Sequence, residues 1–388
     1  MPHPPQNPGR KILVCLVNRK IFEWSLVWPA EGTELNPGFE YKLKIALCCI
    51  LIIFTVIPSG VVLFFMIKAH DSLNANISAI VASDTVFYML FLFLRKQHDI
   101  ALILDNLSDF TKFGKPHGFD RLEKMLNIFA KVLTAYEILS MTAYKYITIN
   151  RKAVCKRIQI EEDFKGYHCG LGIPRFIPIG IEFFPVYELF IMYDFVYSFL
   201  ISKMCSQIAY HVLEIALHTV QRIEHLKSMI IETFDSQNCS VVSENLKKCI
   251  SYHIEILNLV SNIDHTFSTI MLVHFLLTSS VCAFIEMTIA EGRQVLMGCS
   301  HMAMWITALY FVCLGGQRIM DATGSVADAL WASEWYNSDT SCQKAVLLML
   351  QRSQKTSRLT AGPFGILQLP LFVSVIKASY SILCVLTS

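Results

Sequence analysis

The sequence predicts an all-α membrane protein with seven transmembrane helices. Three observations carry that prediction. The 388 residues are 54% hydrophobic and 16% charged, with a mean hydropathy of +0.46, whereas soluble domains carry roughly 25% charged residues. A water-facing chain of this kind would expose apolar patches large enough to aggregate. Lysine and arginine (33) nearly balance aspartate and glutamate (31). That balance, with so apolar a chain, excludes disorder and a nucleic-acid-coating protein. Glycine and proline together number only 30, which favours helices over a barrel of turn-linked strands.

A span needs about 20 mostly apolar residues to cross ~30 Å of hydrocarbon. The first is Leu43 to Ile67, interrupted by Pro58 and Gly60 and flanked by Lys42, Lys44 and Lys68. The second, Ile77 to Leu94, ends at Arg95 and Lys96 and holds Asp84. The third, Leu122 to Ile147, is more polar, with Glu123, Lys124, Lys131, Glu137 and Lys145. The fourth lies between Val186 and Leu213 and includes Glu188, Asp194 and Lys203. Phe267 to Ile289, Val295 to Gly316 and Leu369 to Leu386 complete the seven. Spans this impure should pack on other helices or line a wet cavity.

An odd number of spans puts the termini on opposite sides. Arg10, Lys11, Arg19, Lys20, Lys42 and Lys44 precede the first span, while the 68–76 loop offers Lys68 and the 290–294 loop Arg293. Basic residues favour the cytoplasm, so the amino terminus is expected inside and the carboxyl terminus outside. The 148–185 loop is rich in basic residues, but at close to 40 residues it weighs less in this rule. Residues 1–40 have no continuous apolar core of the signal-peptide kind.

The connections after spans four and six are long and helix-like. Leu246, Ile250, His253, Ile254, Leu257 and Val260 recur at three and four, and Leu347, Leu350 and Gln351 close a similar run within 319–356. The expected organisation is therefore a cytosolic segment (1–42), spans one to four with the outer loop 148–185 (43–213), and a cytosolic helical extension (214–266). Spans five and six (267–316), cytosolic anchor helices (317–366) and a last span (367–388) complete the chain. Subunit assembly is the simplest use of the extensions; solvated hairpins within one chain fit the same pattern.

No GxSxG, HExxH or GxxxxGK[ST] occurs, so no enzyme is expected and no cofactor is implied. His211 and His218 are seven residues apart and can share a helix face. Without a carboxylate or cysteine at ligand spacing they are expected to be structural, and no metal site is expected. Most of the 13 cysteines lie in spans or on the cytosolic side, as small apolar residues. Cys155 and Cys169 share the outer loop, in an oxidising compartment, and are candidates for a disulfide. Asn76-Ile-Ser is a sequon that abuts the second span.

Asp84, Glu137, Glu188 and Asp194 either line a ligand cavity or bond to neighbouring helices. Aromatics such as Phe87, Tyr88, Tyr136, Tyr144, Tyr146, Phe190, Tyr193, Tyr197 and Trp305 sit in outer halves of spans. They suit an interfacial belt or an apolar pocket for a small volatile ligand. In the last span Phe372, Ile376, Tyr380, Leu383 and Thr387 share one face, and Lys377, Ser381, Cys384 and Ser388 the next. Such a stripe fits a shared axis that gates by dewetting, or a plain packing helix with Lys377 paired.

The carboxyl-terminal third resembles the insect odorant receptor family. The likeness rests on CISYHIEILNLVSNIDHTFSTIMLVHFLLTSSVCAFI (249–285), FVCLGGQRIMDATGSVADALWASEWYNSD (311–339) and LLMLQRSQKTSRLTAGPFGILQLPLFVSVIKASYSILCVLTS (347–388). The Trp335-Tyr336 pair, QRSQK–LTAGPF and the closing IKASYS are its most specific parts. The resemblance implies a seven-span, odorant-gated, non-selective cation channel with a cytosolic amino terminus, in the plasma membrane of olfactory neurons. It implies a heterotetramer with the odorant receptor co-receptor, and a small volatile odorant as ligand. It places the pocket in outer halves of spans two, three, four and six, at Asp84, Phe87, Tyr88, Leu139, Ala143, Tyr146, Phe190, Tyr193, Asp194, His301, Met302 and Trp305. It places the pore on the last span, at Ile376, Tyr380, Leu383 and Thr387, with the narrow apolar ring at Leu383. Thr387 stands where the co-receptor often has an apolar residue, and the co-receptor's longer cytosolic insertion is lacking, so the chain resembles a tuning subunit.

Two rivals fit less well. A G-protein-coupled receptor would carry a DRY-like triplet after span three and an NPxxY in span seven; here Ile149-Asn150-Arg151 comes after span three and no NPxxY is present. Insect gustatory receptors typically close with TYxxxxxQF, where this chain has SYSILCVLTS.

Overall fold

The computed structural model describes residues 11–68, 74–150, 152, 168–173, 175–177, 180–181, 183–235, 238–290, 292 and 295–387. Among these, α-helices account for the architecture and no strand forms. Seven long helices stand where spans were expected: α2 (Phe39–Lys68), α3 (Asn74–Arg95), α5 (Phe119–Asn150), α6 (Val186–Phe234), α7 (Cys239–Ala290), α8 (Val295–Ala332) and α10 (Leu369–Thr387). Three shorter ones accompany them among the described residues: α1 (Leu16–Trp24), α4 (Gln97–Leu107) and α9 (Thr340–Ser353).

Length separates these helices into two roles. At ~1.5 Å per residue, the 49 residues of α6 and 52 of α7 run for about 73 and 78 Å, more than twice the hydrocarbon thickness. The 38 residues of α8 reach about 57 Å. All three carry a stretch long and apolar enough to cross a membrane, and Ile53–Val62 and Leu369–Val385 are shorter apolar stretches. The surplus of α6, α7 and α8 projects beyond the bundle and packs with α9.

That projection has its own small core. Ile223, Leu226 and Ile230 of α6 meet Val242, Leu246, Cys249, Tyr252 and Ile256 of α7. Ala322, Val326 and Leu330 of α8 and Cys342, Val346 and Met349 of α9 close it. Phe113, from the α4–α5 connection, stacks on Tyr252 at 4.1 Å and 13°. Of the expected stripe on α7, Leu246, His253 and Val260 are buried, Ile250 and Leu257 part-buried, and Ile254 is 53% exposed. Cys249, Tyr252, Ile256, Leu259 and Ile263 are also buried, because this helix packs against α6 and α8 together, which needs a broader face than a single seam.

The α6–α8 pairing is the most extensive among the described residues, and small residues permit it. A Cβ on Gly315 would meet Ala216 Cβ at 3.1 Å. One on Gly316 would lie 2.2 Å from the Leu367 carbonyl oxygen, so the chain entering α10 is seated directly on the α8 backbone. Such close approach is how helices associate where lipid offers no hydrophobic drive. The face of α10 turned inward carries Phe372, Val375 and Ile376, while Val373, Lys377, Tyr380, Ser381 and Cys384 are exposed.

The helix α1 is capped from a distance. Glu123 of α5 accepts from the Cys15 and Leu16 amides at 3.2 and 3.0 Å, and Asn127 Oδ1 from Val17 N at 2.9 Å. His218 of α6 lies 2.9 Å from the same Glu123 carboxylate. These amides have no intrahelical partner; here α5 supplies it, and α1 is thereby held against α5 and α6. Arg19 and Glu34, both buried, pair at 2.7 Å and hold the following segment.

Candidate functional site

At the end of the bundle carrying the outer loop, charged residues on three elements converge on Asp194 of α6. Lys145 of α5 and Arg175 of the loop both pair with its carboxylate, the latter at 2.6 Å. Gly172 N donates to the same carboxylate at 2.8 Å. All three side chains are at most 6% exposed. Arg175 also lies over the rings of Tyr193 and Tyr197, 4.9 and 5.4 Å from their centroids. The loop is further tied to α2 by the Phe176 amide, which donates to the Pro58 carbonyl at 3.1 Å. Tyr144 OH donates to the Gly172 carbonyl at 2.6 Å.

Beneath this network the helices are stitched by hydroxyls. Tyr193 OH and Thr55 Oγ1 of α2 are 2.6 Å apart, and Tyr197 OH and Ser83 Oγ of α3 are 2.8 Å apart. Asp84 stands beside them, with Oδ1 buried and without a hydrogen-bond partner among the described residues. A buried polar atom left open in this way is costly and is a natural point of attachment for a polar ligand group.

A second group lies on α8. Trp305, 1% exposed, donates from Nε1 to His301 Nε2 at 3.0 Å. His274 of α7 is fully buried with its ring 6.0 Å from that of Trp305, and neither ring nitrogen has a partner among the described residues. Met302 packs against the main core. His274 is not among the expected site residues, since a lone histidine in an apolar span carries no signal of what it will face.

Of the expected pocket residues, the structure brings Asp84, Tyr193 and Asp194 together at the first group, with Phe87 and Phe190 part-buried on the same helices. His301, Met302 and Trp305 form the second. Tyr88 is 49% exposed, Leu139 and Tyr146 are 71% exposed, and Ala143 is exposed. For Leu139, Ala143 and Tyr146 the reason lies in α5: Glu137 and Lys145 must find partners away from lipid. Glu137 accepts from Ser206 Oγ and Gln207 Nε2 of α6. With Glu137, Tyr144 and Lys145 turned inward, Leu139, Ala143 and Tyr146 are carried outward. Asp194 and Glu137 thus bond between helices, whereas Glu188 is exposed.

On α10, Ile376 packs against the core, Leu383 is part-buried and Tyr380 is 65% exposed; the Thr387 side chain lies outside the described residues. Cys169 is disulfide-bonded, and Cys155 lies outside the described residues.

The 7tm Odorant receptor family model matches residues 70–380, which takes in α3 to α9 and the first two thirds or so of α10. The chain belongs to the 7tm Odorant receptor family. The receptor is 27% identical over 159 residues to Odorant receptor 22c of Drosophila melanogaster, covering 40% of this chain and 39% of that one. It is 20% identical over 372 residues to Odorant receptor 67c of the same species, covering 90% and 89%. The matched stretch thus spans about two fifths of the first relative's length and nearly all of the second's. Among solved structures, the receptor is similar to the insect olfactory receptor OR5 from Machilis hrabei, with TM-score 0.77 and 15% identity over 95% of this chain and 96% of that one. The complex of that receptor with eugenol gives TM-score 0.74 at 12% identity, covering 96% of each chain. The fold is therefore that of a seven-helix insect olfactory receptor, and the protein is a membrane protein of a receptor family, not of an enzyme family.

Proposed function

We propose that this receptor is the tuning subunit of a heteromeric, odorant-gated, non-selective cation channel in the plasma membrane of olfactory sensory neurons. The observation that carries the reading is the family match over residues 70–380. The buried, partly unsatisfied polar and aromatic group at the loop end agrees with it. Its partners are the odorant receptor co-receptor, a small volatile odorant and membrane lipid. The amino terminus is cytosolic, so the loop end faces outward and the projection built by α6, α7, α8 and α9 lies in the cytosol.

The odorant sits between the two groups described above. Asp84, Tyr193 and His274 offer polar contacts, and Phe87, Phe190, Met302 and Trp305 offer apolar ones, with Tyr88 and His301 at the margin. Asp194 organises the pocket by holding loop and helices together, and the outward Leu139, Ala143 and Tyr146 face lipid or a neighbouring subunit. The exposed apolar side chains of the projection, Trp331, Tyr336, Leu347 and Leu348, are where subunits meet. The last helix lines the pore, with Leu383 in the closed gate and Ile376, Tyr380 and Thr387 above and below it. An odorant opens the channel only by as much as it favours the open arrangement.

Expression with and without the co-receptor, with current recording across an odorant panel, tests the reading. Odorant-evoked cation current in the co-expressing cells is expected. Silence in every combination, with both chains at the cell surface, overturns it. Labelling of an amino-terminal epitope from outside intact cells would overturn the orientation.

A further inference from the structure

Three donors of different kinds meet where α1 docks on α6, well away from the aromatic and hydroxyl groups at the loop end. A donor atom from each of Cys15, His211 and Glu214 lies within 4.8 Å of the other two, and all three residues are buried. From these positions we infer that Cys15, His211 and Glu214 bind a zinc-class divalent cation that clamps the amino-terminal segment to α6.

The donor chemistry selects the metal. A thiolate, an imidazole and a carboxylate together suit a borderline-soft ion of the zinc or cobalt type. Calcium and magnesium call for oxygen donors throughout. Bond lengths of about 2.0–2.3 Å place tetrahedral donors roughly 3.3–3.8 Å apart, and His211 Nδ1 and Glu214 Oε2 already stand at 3.3 Å.

The cluster also has unmet electrostatic need. Glu214 is fully buried and its Oε1 has no partner, nor has His211 Nε2 among the described residues. Glu214 Oε2 is 3.3 Å from His211 Nδ1 and accepts from Asn18 Nδ2 at 2.8 Å. The nearby cation, Arg19, is committed to Glu34 at 2.7 Å and to the Ile12 carbonyl at 3.0 Å. A bound cation takes Cys15 as the thiolate and releases its proton. The imidazole is walled by rings, edge-on to Phe22 at 5.5 Å, Phe93 at 6.4 Å and Trp28 at 6.5 Å. Those walls fix its orientation and exclude water. Asn18 already orients the carboxylate, the role an outer partner plays at a metal site. Its Oδ1 is buried without a partner among the described residues.

The test uses the full-length receptor purified in detergent, incubated with equimolar zinc and passed over a desalting column. One zinc per chain is expected by elemental analysis. Cys15→Ser and His211→Phe should each lower that content roughly tenfold or more, while Cys205→Ser, a buried thiol of the main core, should leave it unchanged. Cobalt in place of zinc should give a thiolate-to-metal charge-transfer band, absent in Cys15→Ser. A wild-type receptor that retains no zinc and gives no cobalt band overturns the proposal, however the variants fold. Zinc retained by both variants overturns it as well.

Discussion

Replacing Asp194 by asparagine removes a carboxylate that Lys145 and Arg175 share. All three side chains are at most 6% exposed, so two cations are left buried against a neutral amide. Breaking a buried ion pair from one side costs about 3–5 kcal/mol. The same carboxylate accepts the Gly172 amide at 2.8 Å, so the loss falls on the junction between the 168–177 loop and α5 and α6. It shifts the balance of docked and released loop by roughly two to three and a half orders of magnitude. Amide exchange at Gly172, followed by mass spectrometry, should accelerate accordingly in Asp194→Asn, and odorant responses should fall with it. The combined variant Lys145→Met, Arg175→Leu, Asp194→Leu is the control. An apolar set of similar volume is often neutral or stabilising relative to a buried charge network, so its loop should stay protected. Wild-type exchange in Asp194→Asn would refute the reasoning, since it would mean that the pairs contribute nothing to docking the loop.

Three further outcomes are expected. Gly316→Ala places a Cβ 2.2 Å from the Leu367 carbonyl oxygen and should destabilise by about 1–3 kcal/mol as overpacking, seen as a lower melting temperature in detergent. Gly60→Ala, with nothing within 4 Å of the added carbon, should be tolerated, and equal effects of the two would count against the close seating of α10. Glu123→Ala strips the Cys15 and Leu16 amides of their acceptor and should cost about 1–3 kcal/mol. Faster exchange at those two amides is its signature, and unchanged exchange contradicts the capping. Leu383→Ser in the co-expressed channel should raise basal current or alter ion selectivity; unchanged currents remove Leu383 from the gate.

The helical content and the places of the seven long helices were legible because hydropathy along one stretch of sequence reports directly on the need for lipid. The projection of α6 and α7 was legible for a similar reason, since a helical repeat continued past the apolar stretch. The facing of α5 was not. The resemblance placed Leu139, Ala143 and Tyr146 in the pocket, yet Glu137 and Lys145 govern the rotation, and their partners Ser206, Gln207 and Asp194 lie about 50 to 70 residues further on. That Cys15 comes beside His211 and Glu214 was not legible either, because nearly 200 residues of sequence separate them.

Local composition and period alone determined a helical membrane protein, its spans, their overlong continuations and a resemblance concentrated in the last 140 residues or so. Only the tertiary structure decided which face of each helix is inward, which charges meet, and that α1 is capped by α5 and brought against His211 and Glu214. The physical reason is that burying a charge in a low-dielectric interior is tolerable only beside its partner, and partners are chosen by packing in space, whatever their separation along the chain.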